Sequence, residues 1–425
     1  MSKFFTAVRL QEDLCMGCIN CIKRCPTEAI RVRNGKAVIT KEFCIDCGEC
    51  IRICKHHAKQ ATYDSMEVMK KYAYTVALPA PSLYAQMNNL EDVNIVLNAL
   101  IRMGFDDVYE VSGAAEALSA YTRIYVDQHK EKWPIISTAC PSVTRLIRVR
   151  FPNLIEHLLP LKAPVDLAAS VARKQAMEKT GLPSEQIGIF FISPCPAKVT
   201  AVKYPLGYEY SDVDAVLAMK EVYPPLISCM KEAAKEDELL DLSNSGKIGI
   251  SWGSSGGEAG GLLIDNYLAA DGIENIIRVL EDMEDQKFSN LEFIELNACN
   301  GGCVGGVLTV ENPYVAKVKL KRLRKYMPVA RNHNMINEQD LLWTYEVQYE
   351  PVFTLGESLS QSISAMAKVE KLCKDFPGLD CGSCGAPSCK ALAEDIVRGV
   401  AKETDCIHIF RKKMSKLSNE LEEEV

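Results

Sequence analysis

The chain has 425 residues, 48% hydrophobic and 25% charged, enough for a sizeable core and two or three domains and ordinary for a soluble globular protein. Its formal net charge of −7 argues against general nucleic-acid binding, and no uninterrupted apolar stretch reaches membrane length. The 18 cysteines are not ordinary. Met1-Ser2-Lys3-Phe4-Phe5 runs into charged residues before any secretory apolar region forms, so the expectation is a cytoplasmic protein whose cysteine clusters hold metal.

A first domain over residues 1–65 is marked by Cys15-x2-Cys18-x2-Cys21-x3-Cys25-Pro26, repeated 29 residues later as Cys44-x2-Cys47-x2-Cys50-x3-Cys54. This spacing resembles that of an α+β bacterial two-cluster ferredoxin, in which the fourth cysteine of each run ligates the other cluster. One 4Fe-4S cluster then takes Cys15, Cys18, Cys21 and Cys54, and the other takes Cys44, Cys47, Cys50 and Cys25. Zinc loops also use CxxC pairs, but a third cysteine at this spacing does not suit them. Lys55 stands where the first run has Pro26, which touches the turn and not the ligands. His56 and His57 read as an exposed pair.

Over residues 70–350, short apolar runs alternate with longer amphipathic segments. The runs are Tyr74 to Leu78, Ile135 to Ser137, Ile187 to Ile192, Ile248 to Ser251 and Phe293 to Leu296. Val165 to Lys179 follows Pro164, which suits a helix start. The alternation predicts an α/β core of largely parallel sheets covered by helices, with ligands beyond the carboxyl ends of the strands. The unusual loops lie there: Pro79-Ala80-Pro81-Ser82, Thr138-Ala139-Cys140, Ser193-Pro194-Cys195, Gly253 to Gly257, and the turn Cys299-Asn300-Gly301-Gly302-Cys303. Cys140, Cys195, Cys299 and Cys303 supply four thiolates, the number that holds one cubane cluster. The glycines let backbone approach a ligand closely, and Pro81, Gly256 and Gly302 are candidates for lining it. Gly253 to Gly257 lacks the Lys-Ser/Thr ending of a P-loop and the dinucleotide spacing, so it reads as packing round the same buried group.

The basic segment Lys317 to Arg331 reads as a solvated helix face, with a docking patch as the alternative. A last module over residues 365–415 offers Cys381, Cys384, Cys389 and Cys406 in a Gly/Pro-rich frame, for a third 4Fe-4S cluster outside the central site, with zinc as a competitor. Leu417 to Val425 is an acidic helical tail. Cys229 and Cys373 are left over and read as buried small hydrophobes.

A two-cluster ferredoxin head followed by TACP, SPCPAK and ELNACNGGCVGG resembles the iron-only (FeFe) hydrogenases over roughly residues 1–350. The resemblance implies an H-cluster, a 4Fe-4S cubane joined through a cysteine sulfur to a diiron unit carrying CO, cyanide and a dithiolate bridge. It implies that Cys140, Cys195, Cys299 and Cys303 hold the cubane, that Cys303 bridges to the diiron unit, and that Lys198 and Ser82 face cyanide. Implied partners are H2 and protons, a redox partner such as ferredoxin or a signalling protein, and maturation factors for the diiron unit, with no nucleic acid or membrane.

The departures are equally specific. Ala139 occupies the place of the proton-passing cysteine of the fast enzymes, Ala201 that of a relay glutamate, and Ser193 and Asn297 those of two methionines. With the C-terminal module, these changes resemble a divergent branch of the family proposed to sense hydrogen. The resemblance therefore implies a slow enzyme in H2 sensing or redox regulation. The alternatives are a metabolic ferredoxin-linked hydrogenase and a non-catalytic iron-sulfur scaffold without the diiron unit. Glu116, Tyr121 and Glu258 are candidates for a replacement proton path.

Overall fold

The computed structural model describes residues 5–235, 239–288, 290–331, 338–352, 354–356 and 358–423. The end of the acidic tail, Glu424 and Val425, lies outside the described residues.

The N-terminal module contains two antiparallel pairs. Strand β1 (Val8–Leu10) pairs with β4 (Lys59–Ala61), and β2 (Ile30–Arg33) pairs with β3 (Lys36–Ile39). Between them lie the short helices Asn20–Lys23 and Glu49–Ile53, each inside a cysteine run. Val8, Ile22, Ile30 and Ala37 pack with Cys15, Cys21 and Cys50, so this small core is built largely on the cysteines themselves.

Among the described residues, the central region carries seven strands in two sheets. One has the order β6 (Asp107–Val108), β5 (Tyr74–Pro79), β8 (Ile187–Ser193), β9 (Ala215–Ala218). The other has the order β10 (Tyr267–Asp271), β11 (Phe293–Asn297), β7 (Ile135–Ile136). Every pairing in both is parallel. Strand β8 is buried along all seven residues, as a strand covered on both faces must be. Fully burying each large side chain here, such as Phe190 or Phe293, contributes about 1.5–3 kcal/mol.

Two differences from the sequence expectation have physical causes. The run Ile248 to Ser251 lies in a helix, Lys247–Ser251, and is not a strand. A run this short carries no period that separates strand from buried helix. Gly249 lets this helix sit directly on the Val111–Gln128 helix, since a Cβ there would lie 2.0 Å from the Ser112 carbonyl oxygen. Strands β6, β9 and β10 were not among the expected runs; β6 has only two residues, and β10 is only partly buried.

The Pro164–Thr180 helix starts on its proline as expected. The basic segment forms the Pro313–Leu323 helix and a following turn, but it is not wholly solvated, because Arg324 donates to Ser251 Oγ at 2.6 Å. His56 and His57 are exposed. Cys229 and Cys373 are half-buried rather than fully buried: each sits at the edge of a core, where a helix face meets solvent.

The C-terminal module comprises the helices Leu359–Asp375, Cys389–Val397 and Ile407–Glu423. It docks on the ferredoxin-like module. Asp395, 4% exposed, accepts from Arg31 at 2.7 and 3.2 Å and from Arg33 at 2.6 Å. Val32 N–H donates to the Gly385 carbonyl at 2.8 Å, and Lys23 Nζ to that of Pro387 at 2.9 Å.

Candidate active site and iron-sulfur centres

The three cysteine loops of the central region leave the carboxyl ends of strands and converge. Cys140 follows β7 and caps the Pro141–Arg150 helix; Cys195 follows β8 and caps the Pro196–Lys203 helix. In both, proline at the first helical position fixes where the helix begins and therefore where the thiol stands. The third loop follows β11, and Cys303 opens a short turn, Cys303–Gly305.

Backbone bonds tie these loops together. Val304 N–H donates to the Gly253 carbonyl at 2.9 Å, Ser255 N–H to Gly301 at 3.0 Å, and Leu308 N–H to Pro194 at 2.9 Å. Gly302 has φ +85° and ψ −155°, a region open essentially only to glycine, and a Cβ there would lie 2.4 Å from Ser255 N.

Around these loops lies a cavity of about 90 Å³ whose walls include Cys140, Cys195, Cys299 and Cys303, together with Pro81, Ser82, Ala139, Lys198 and Gly302. Of the residues singled out as lining a central group, Gly256 is the one outside these walls. Its N–H donates to Glu295 at 2.9 Å, and it opens the Gly257–Gly261 helix. Ala201 lines a separate small pocket beside Lys198.

Burial raises the Cys195 thiol to about 11 and also raises Cys299 and Cys303 well above the ordinary thiol range, each also pushed up by its cysteine neighbours. Buried thiols held up in this way become thiolates only beside strong positive charge, which iron supplies. Ser82 Oγ is fully buried and has no hydrogen-bond partner among the described residues, although it stands at this cavity. A buried unpaired hydroxyl is costly unless a polar ligand meets it. Donor set and orphan hydroxyl together fit a group that is iron-sulfur on one side and hydrogen-bond accepting on the other.

Two carboxyls that sequence reasoning had not paired also line the cavity. Glu295 accepts from Gly256 N–H at 2.9 Å, Ala259 N–H at 2.9 Å and Asn297 Nδ2 at 2.7 Å. Glu258 has the Ser137 hydroxyl at 2.6 Å, and Ser137 Oγ in turn accepts from Ala139 N–H at 3.2 Å. Burial first, then the Glu295 charge, pushes Glu258 up to about 8. Glu295 is also raised by burial, while its three donors pull it back by favouring its charged form. An acidic residue inside the apolar strand Phe293-Ile294-Glu295-Leu296 was the available signal, since a charge there needs dedicated partners. Glu116, in contrast, is held by backbone N–H groups of Gly246, Gly249 and Arg331, and neither it nor Tyr121 lines the cavity.

In the N-terminal module, Cys15, Cys18 and Cys54 act electrostatically on Cys21. Cys25 and Cys50 act likewise on both Cys44 and Cys47. The two groups therefore cross-pair between the runs. Cys47 also lines the central cavity, and Arg52 Nη2 donates to the Gly305 carbonyl at 2.8 Å. In the C-terminal module, Cys381 and Cys406 act on Cys384, while Cys389, at the start of its helix, acts on Cys373. Among the described residues, no three His, Cys, Asp or Glu side chains come together as ligands of a single metal ion.

Residues 73–263 and 257–307 match the family described as iron only hydrogenase large subunit, C-terminal domain, residues 7–55 match a 4Fe-4S dicluster domain, and residues 376–408 match an Fe-S cluster family. The first match spans more than half of the chain, which belongs to the iron-only hydrogenase family. The chain is similar to Iron hydrogenase 1 of Clostridium pasteurianum, 25% identical over 393 residues that cover 76% of this chain and 68% of that protein. It is also similar to the "Probable cytosolic Fe-S cluster assembly factor CG17683" of Drosophila melanogaster, 22% identical over 347 residues that cover 67% and 72% of the two chains. Among solved structures, FeFe-hydrogenase HydA1 from Chlamydomonas reinhardtii aligns at a TM-score of 0.44 and 15% identity, covering 60% of this chain and 87% of that one. No helix of the described residues is long and apolar enough to cross a membrane.

Proposed function

We propose that the protein is a slow hydrogenase that interconverts H2 with protons and electrons at an H-cluster, in a sensory or redox-regulatory setting. The observation that carries this reading is the convergence of Cys140, Cys195, Cys299 and Cys303 on one buried cavity that also presents Lys198 and the orphan hydroxyl of Ser82. The four cysteines would hold the cubane, with Cys303 shared with the diiron unit, and Lys198 and Ser82 would donate to cyanide. When bound, that group supplies the site at which H2 is split or formed.

The chain's own residues handle the proton and the electrons. Ala139 offers only a methyl group beside the cavity, so it neither donates nor accepts a proton. Glu258 holds a proton on a buried carboxyl at neutral pH, and Ser137 links it towards the Ala139 backbone. A single buried acid in place of a thiol-to-surface relay supports slow exchange, because general acid-base help typically supplies about 10²–10⁴-fold in rate. Electrons would pass through the two N-terminal clusters, whose nearest ligand to the cavity is Cys47. The C-terminal module would add a third cluster on Cys381, Cys384, Cys389 and Cys406, facing a ferredoxin or a signalling protein.

The similarity to an Fe-S cluster assembly factor favours a second reading, a scaffold that binds a cubane and no diiron unit. A scaffold has no cyanide for Lys198 and Ser82 to meet. Infrared spectroscopy of protein matured with the diiron-unit maturases separates the two. Bands of bound CO and cyanide are expected; their absence from a fully matured sample would leave only the scaffold.

A further inference from the structure

Lys59 breaks the internal repeat of the N-terminal module. It lies five residues after Cys54, the position that Ile30 holds after Cys25, and both side chains are only 2% exposed. Isoleucine at that place is an ordinary core residue. Lysine is not, because a buried ammonium needs a counter-charge or hydrogen-bond acceptors. Strand β4 fixes it inward: Lys59 pairs with Leu10 and shares the buried face with Ala61.

The Lys59 Nζ has no hydrogen-bond partner among the described residues. Burial raises the thiols of both Cys21 and Cys50, and in each the strongest opposing pull comes from Lys59. Those two cysteines belong to different four-cysteine groups. The ammonium thus lies within electrostatic reach of one ligand of each cluster, in a core built on aliphatic side chains and thiols where the buried Asp46 carboxyl also acts on Cys50.

We propose that Lys59 is a counter-charge shared by the two N-terminal iron-sulfur clusters and makes both easier to reduce. A cubane held by four thiolates is a dianion when oxidised and a trianion when it has taken up one electron. No bond forms or breaks in that step and no proton moves; the donor loses one electron and the cluster gains it. A fixed cation stabilises the trianion more than the dianion, and low local dielectric enlarges the difference. The cation also offsets repulsion between two neighbouring anions, so the second electron enters the module at less cost. Lys59 is a positioning residue in this sense: it sets potentials without binding H2.

The proposal rests on the dicluster reading, and one experiment separates the failure of each. Full-length, cluster-loaded protein is titrated potentiometrically with dithionite while the electron paramagnetic resonance of the two adjacent clusters is followed, with iron and sulfide assayed in parallel. In Lys59→Met and Lys59→Ile, both midpoint potentials should become more negative by at least a tenfold loss of electron affinity, about 59 mV for a one-electron couple. Lys59→Arg should keep both near the parent values. Lys59→Ile copies the residue of the first repeat and is the variant expected to fold best. Unchanged potentials, or a shift in one cluster alone, would overturn the shared counter-charge. Loss of both clusters in the Met and Ile variants would do so too, by making the lysine an assembly residue. Parent protein without the spin-coupled pair would instead remove the dicluster reading itself.

Discussion

Glu258 and Glu295 stand together at the cavity, yet their surroundings divide their roles. Glu295 is fixed by three donors, whereas Glu258 has one hydroxyl and a thiol range of acidity, about 8. Below about pH 8 Glu258 is protonated and can donate, and above it Glu258 ionises beside a second buried carboxyl. Turnover assayed as H2 evolution should therefore fall as pH rises through about 8. In Glu258→Gln that step should vanish and the plateau should drop by about 10²-fold or more, with the infrared bands of the active centre retained. A parent-like profile in that variant would place the proton path elsewhere. Ala139→Cys tests the other end. With Ala201 unable to carry a proton, the added thiol should raise turnover little; a rise to the rate of fast hydrogenases would remove the main physical support for the slow, sensory reading.

The Cys299–Cys303 turn depends on its glycines in a way that a stability measurement can read. Gly302→Ala would place a side chain in a backbone region that costs about 1–3 kcal/mol, and also against Ser255 N. Denaturant unfolding should show that loss, and iron content of the central site should fall because two of its four cysteines flank the substitution. Gly378→Ala, also at positive φ but with nothing within 4 Å of its Cβ, should spare the central iron. In the C-terminal module, Cys381 and Cys406 act electrostatically on Cys384, and Cys389 acts on Cys373. Four cubanes would bring the iron of protein lacking the diiron unit to about 16 atoms. About 12 with one zinc would show that this module binds zinc.

From the cavity, Cys47 leads to the second cysteine group, Lys59 spans the two groups, and Lys23, Arg31 and Arg33 lead to the C-terminal module. These contacts join the central cavity to the N-terminal module and the N-terminal module to the C-terminal one. Asp395→Ala leaves two arginines without their buried partner, a loss of about 3–5 kcal/mol where such a pair is broken. The module should then become sensitive to limited proteolysis near its boundary, and its cluster should be reduced by H2 more slowly. The infrared bands should stay in place. Cys50→Ala should likewise slow exchange with an external dye and keep those bands; losing them would make the N-terminal module structural.

The amino-acid sequence by itself determined what short-range chemistry can encode. Cysteine spacing carried the dicluster module, apolar runs ending in cysteine loops carried the parallel α/β core, and Pro164 marked a helix start. It misassigned Ile248 to Ser251, because a run of four residues does not say whether a strand or a helix awaits it. Only the tertiary structure decided which groups meet. Glu258 reaches Ser137 across 121 positions, Asp395 reaches Arg31 across 364, and Lys59 comes within reach of thiols from both cysteine groups. Charge and burial act through space, so a lysine that looks like surface in a list of residues becomes a buried cation once the strand pairing turns it inward.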